Sequence, residues 1–197
     1  MKPSRLLWGA CVALILSACT DTSPNIILET ELGSIEIEVY PTAAPISSAD
    51  FLYYVDEGLY DGQTFYRSVK PDNDPKDMGM SLIQGGRADL LPITQGIDHE
   101  TKTGISNVSG TVSIARDAPG TGSAAFFFIN IGDNTFLDYG GTRNPDGQGY
   151  ASFGTVVKGM DVVKKIQAQP LGGESGDEIT EGQFFTNPVT ITKAYRK

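Results

Sequence analysis

The sequence predicts a mainly β domain, a sandwich or a closed barrel, that carries two helices. Three observations lead there. Short runs rich in β-branched and aromatic residues recur along the chain. The connections between them draw on 23 glycines and 11 prolines, and only two segments space their apolar residues as a helix does. No internal repeat or low-complexity stretch is visible.

The elements follow in order. Ile26 to Thr30 reads as a strand, and Gly33-Ser34 as the hairpin turn that leads into the next. There Ile35, Ile37 and Val39 alternate with Glu36 and Glu38, which predicts one apolar and one wet face. Pro41 and Pro45 end the hairpin and open a helix over Ile46 to Glu57. Its stripe is Phe51, Leu52 and Val55, and Gly58 supplies the stop. Arg67, preceded by Phe65 and Tyr66, falls in the middle of a further strand. Leu82-Ile83 then lead into Gln84, Gly85 and Gly86. Four more runs read as strands: Thr111 to Ala115, Phe126 to Ile131, Ala151 to Val157 and Val189 to Tyr195. A second helix runs from Met160 to about Gln167 with the stripe Val162, Val163 and Ile166, bracketed by Gly159 and Pro170.

The first 18 residues have the form of a secretory signal. Lys2 and Arg5 precede an apolar run, Leu6 to Leu16, that is too short to span a bilayer. Leu16-Ser17-Ala18-Cys19 looks like a bacterial lipobox, whose cysteine is acylated and becomes the new N-terminus. Residues 19–25 are then a lipidated cysteine and a polar tether, and residues 26–197 form one domain. Cys11 leaves with the signal and lipid blocks Cys19, so the mature chain has neither a free thiol nor a disulfide. The expected location is the bacterial envelope, lipid-anchored and facing the periplasm. Thr20 after the cysteine resembles the enteric sorting pattern for the outer membrane.

The formal charge is −9, and loss of Lys2 and Arg5 takes it to −11. Such a surface repels phosphate backbones, which argues against nucleic acid as a partner. The acidic residues are scattered, as on a solvated surface. His99 is the only histidine, in a D-H-E run that reads as a solvated loop. One histidine and no free thiol exclude histidine-dependent hydrolysis and thiol chemistry. Asn144 to Gly149 lacks the acidic count of a calcium loop and reads as a turn. No metal or cofactor is implied, and a monomer is the expected state.

An arginine among hydrophobic neighbours in a sheet needs a reason, because buried charge is costly. The run Y-D-G-Q-T-F-Y-R-S-V followed by S-L-I-Q-G-G is similar to the signature of cyclophilins, the peptidyl-prolyl cis-trans isomerases. The resemblance extends through L-E-T-E-L-G-S-I-E-I-E-V-Y-P-T-A-A-P, G-T-V-S-I-A-R, F-F-F-I-N, F-L-D-Y and Y-A-S-F-G, nearly the whole chain after residue 25. It implies a closed eight-stranded antiparallel barrel capped by two helices, and isomerisation of X-Pro bonds in proline-containing unfolded or flexible chains. It makes Arg67 the catalytic residue. It places Leu82, Phe128, Phe136 and Leu137 around the substrate proline, Tyr150 at the rim, and Gln84, Ala115 and Arg116 along the substrate backbone. Phe127 points the other way and reads as core.

The departures from the family are specific. Ser81 stands where a phenylalanine usually meets the proline. Phe126 replaces a glutamine that helps hold the arginine, and Phe136 a tryptophan. An insertion, Pro71 to Met80, separates the arginine strand from S-L-I-Q-G-G. These changes predict a looser proline grip and altered neighbouring subsites. They keep open a second reading, a chaperone or envelope adaptor that holds proline segments with little turnover.

Overall fold

The computed structural model describes residues 23–90 and 96–197. The signal segment, Cys11 and Cys19 lie outside the described residues. The strands are β1 (Asn25–Thr30), β2 (Gly33–Val39), β3 (Thr64–Val69), β4 (Leu82–Gly86), β5 (Thr111–Ile114), β6 (Phe126–Asn130), β7 (Ser152–Lys158), β8 (Leu171–Gly173) and β9 (Phe184–Arg196). The helices are α1 (Pro45–Asp56) and α2 (Met160–Gln167). Neighbours run β1-β2-β7-β5-β6-β4-β3-β9, and β9 pairs back onto β1, so eight strands close a barrel, every pair antiparallel. Closure leaves this ring without free edges. β8 is a ninth, short strand attached only to the start of β9.

The interior is aromatic. Phe51 of α1 lies 4.8 Å from Phe153 and 5.7 Å from Phe127 between ring centres, and Tyr60 lies 5.3 Å from Phe127. All four are fully buried. The stripes of α1 and α2 enter the same core as Ile35, Ile37 and Val39. Pro45 opens α1, and its free N–H groups at Ile46 and Ser47 donate to the Glu100 carboxylate at 3.3 and 3.0 Å.

Two expectations need correction. The wet face of β2 is not wholly wet: Glu36 is buried, paired with Lys197 at 2.8 Å and Lys158 at 3.2 Å. The last strand starts at Phe184 rather than Val189. Pro188 hides this in the sequence, since proline lacks the N–H that a ladder needs, yet the strand continues through it.

The glycine pair ending β4 is a packing requirement. Gly86 has φ +117°, and a Cβ there would lie 2.0 Å from the Ala125 carbonyl oxygen; a Cβ on Gly85 would lie 2.7 Å from the Phe65 ring. Only glycine lets β4 approach β3 and β6 this closely. Gln84, just before them, is thereby fixed opposite Arg67.

Candidate active site

β3 carries a bulge: its register with β4 shifts between Phe65 and Arg67. The extra residue re-aims the strand, so that consecutive side chains, Tyr66 and Arg67, both line one cavity of about 460 Å³. That volume suits a small ligand or a few side chains. Phe65 faces the barrel core instead.

Arg67 is held by two amides. Its Nη1 donates to Gln84 Oε1 at 2.7 Å, while Nε and Nη2 donate to Gln183 Oε1 at 2.8 and 2.6 Å. Gln84 Nε2 in turn donates to the Tyr66 hydroxyl at 2.7 Å. Among the described residues no carboxylate pairs with Arg67. Burial pushes its pKa down, but a guanidinium keeps its proton at any working pH. Of its five N–H groups three are used, which leaves one on each terminal nitrogen. Burial also holds the Tyr66 phenol well above its usual range, so that hydroxyl stays neutral.

The apolar walls come from several elements. Leu82 of β4, Phe128 of β6, and Leu137 from the short turn Thr135–Leu137 line the cavity and are buried. Ala115 and Tyr150 complete that side, with Tyr150 edge-on to Phe128 at 5.6 Å. The sequence-predicted residues Arg67, Leu82, Gln84, Ala115, Arg116, Phe128, Leu137 and Tyr150 thus meet at one site.

Phe136 does not line it. Residues on a tight turn point about 120° apart, so Leu137 takes the inward direction, and Phe136 packs half-buried beside the same cluster. Arg116 lines the cavity without a free fork. Its guanidinium donates to Asp146 twice at 2.9 Å, to the Gly149 carbonyl at 2.8 Å and to the Asp117 carbonyl at 3.1 Å. Its main chain, not its charge, is left for a ligand. Gln84 is likewise committed chiefly to holding Arg67. His99 is half-buried rather than a solvated loop residue; its Nε2 lies 3.0 Å from the Gly149 carbonyl, and burial lowers its pKa.

Several site residues escape the sequence reading. Ser81 does not face the cavity, and its hydroxyl accepts from Gln167 Nε2 at 3.0 Å. Met80, the last residue of the insertion, lines the cavity instead. Arg143 lines it too, bound to the buried Asp74 at 2.7 Å. Phe184 and the segment from Ser175 to Thr180 close the remaining side. Gln183 sits 116 residues from Arg67 in a plain E-G-Q-F-F run, with no local signal of its role.

Comparison with known proteins agrees with this geometry. The family described as cyclophilin type peptidyl-prolyl cis-trans isomerase/CLD matches residues 25–196. A peptidyl-prolyl cis-trans isomerase of Acinetobacter baylyi is 37% identical over 157 residues, covering 80% of this chain and 79% of the relative. Peptidyl-prolyl cis-trans isomerase B of Escherichia coli is 33% identical over 174 residues, covering 85% and 99%. Among solved structures, a Cryptosporidium parvum cyclophilin type isomerase crystallised in the presence of the dipeptide Ala-Pro superposes with TM-score 0.68 at 18% identity, over 88% of this chain and 98% of that one.

Proposed function

The chain belongs to the cyclophilin-type peptidyl-prolyl cis-trans isomerase family, and from that premise we propose that Arg67 drives isomerisation of X-Pro bonds in secreted or envelope proteins. The observation that carries the reading is the Arg67 guanidinium, held among the described residues by amide oxygens alone, beside the apolar wall of Leu82, Phe128 and Leu137.

The chemistry needs no nucleophile or metal. Amide resonance sets a barrier of about 18–20 kcal/mol, and X-Pro bonds cross it in tens to hundreds of seconds. Catalysis requires a site that binds the twisted amide better than either planar form. As the bond twists, the prolyl nitrogen regains a lone pair, and a free Arg67 N–H can donate to it. A pre-oriented, weakly screened cation does this without reorganising. Lowering the barrier by about 5 kcal/mol speeds the reaction several thousand-fold. Leu82, Phe128, Leu137 and Met80 offer the proline ring a surface to bury against. The main chain around Ala115 and Arg116 is placed to meet the peptide backbone.

Anchoring through lipid on Cys19 would present this site to chains in the periplasm, supported by the Leu16-Ser17-Ala18-Cys19 pattern. The alternative, a holder of proline segments, leaned on Ser81 and Phe126. Met80 adds apolar wall to the cavity and Gln183 holds Arg67, which supports turnover.

The test is exchange spectroscopy by NMR on a short Ala-Pro peptide, with the full chain in detergent micelles. Exchange between cis and trans resonances should quicken with the wild type, and both exchange and binding should disappear with Leu137→Arg. Binding without faster exchange would sink the enzyme reading in favour of the holder.

A further inference from the structure

We propose that Gln183 is the residue that positions Arg67 for turnover, and that the Pro71–Met80 insertion serves to orient it. This rests on the reading of Arg67 given above. Gln183 is fully buried. Its single oxygen takes two of the three hydrogen bonds that Arg67 makes, from Nε and Nη2. Its orientation is forced by its other end. Gln183 Nε2 donates to the main-chain carbonyl of Asn73 at 2.8 Å, so the oxygen must face the guanidinium.

The main chain at Gln183 is pinned too, because its carbonyl accepts from Ser68 N at 2.8 Å, next to Arg67. Asn73 is held on three sides. Its side chain accepts from Lys70 N at 2.7 Å and donates to the carbonyls of Ser68 and Gly182, each at 3.3 Å. The insertion therefore closes a loop of contacts: β3 to Asn73, Asn73 to Gln183, Gln183 back to Arg67. An amide in this place fixes the guanidinium plane while leaving its charge whole and one N–H free on each terminal nitrogen. Gln183 does not line the cavity, so it acts through Arg67 and not on a substrate.

The test compares Gln183→Leu, Gln183→Glu and Arg67→Ala with the wild type, each as the full chain in detergent, on an Ala-Pro peptide. Misplacing a catalytic group by about 1 Å costs up to roughly 100-fold. Gln183→Leu should lower kcat about 10- to 100-fold with KM little changed, and should move and broaden the Arg67 Nε–Hε NMR resonance. Gln183→Glu keeps an acceptor but neutralises the cation, so kcat should stay well below wild type while the resonance remains sharp. Wild-type kcat in Gln183→Leu, or a change confined to KM, would overturn the positioning role. Should Gln183→Leu fail to fold, Gln183→Met takes its place, and wild-type kcat there overturns the positioning role equally. Loss of activity in Arg67→Ala alone would reject Gln183 and spare the Arg67 reading. Undiminished activity in Arg67→Ala would overturn both.

Discussion

Three arginines line one cavity, and their partners separate structure from chemistry. Arg116 is matched by Asp146 and Arg143 by Asp74. Burial works to raise the Asp74 pKa, but Arg143 and the main-chain N–H groups of Met80 and Lys76 outweigh it and hold the carboxyl below its usual range. Those two cations are quenched and serve as braces. A cation taken part-way out of water without such a partner is costly, yet half-buried Arg67 is held, among the described residues, by Gln84 and Gln183 alone. A carboxylate there would be cheaper for folding and would cancel the field that a developing lone pair needs. The cost falls at the residue proposed to donate to the prolyl nitrogen. Tyr66, whose hydroxyl accepts from Gln84, keeps the amide from turning its nitrogen toward the cation.

At the scale of elements, the bulge in β3 and the glycine pair of β4 do most of the placing. Gly86→Ala should destabilise the chain by more than about 3 kcal/mol, since the new methyl would meet the Ala125 carbonyl at 2.0 Å on a backbone that disfavours side chains. Gly147→Ala, also at positive φ but with nothing within 4 Å, should cost about 1 kcal/mol. Urea midpoints of the two variants measure the contrast. The barrel strands and both helices were legible from short β-branched and aromatic runs and from helical spacing, and Arg67, Leu82 and Gln84 from the resemblance that Q-G-G carries. What was not legible is instructive. Met80 and Gln183 come from an insertion and a connector with no periodicity, and their roles depend on a closure that brings residues 116 apart into contact. Phe136 was misplaced because direction around a short turn is not encoded by residue type. β8 was missed because Leu171–Gly173 is three residues long and pairs only locally.

At the scale of the whole molecule, a closed ring of eight strands gives a frame with the site along its wall. If Cys19 carries lipid, replacing it should change location and leave the site untouched. Cys19→Ser expressed in a bacterial host should leave the membrane fraction, while the wild type stays there and takes up labelled palmitate. Whether an unquenched guanidinium lowers the rotational barrier is read from Arg67→Ala, with binding and exchange measured on the same sample. Exchange of a saturating Ala-Pro peptide should fall to near the uncatalysed rate while its Kd changes only a few-fold, because the apolar walls remain. Exchange that persists at the wild-type rate with Arg67 removed would mean that the guanidinium does not lower the barrier.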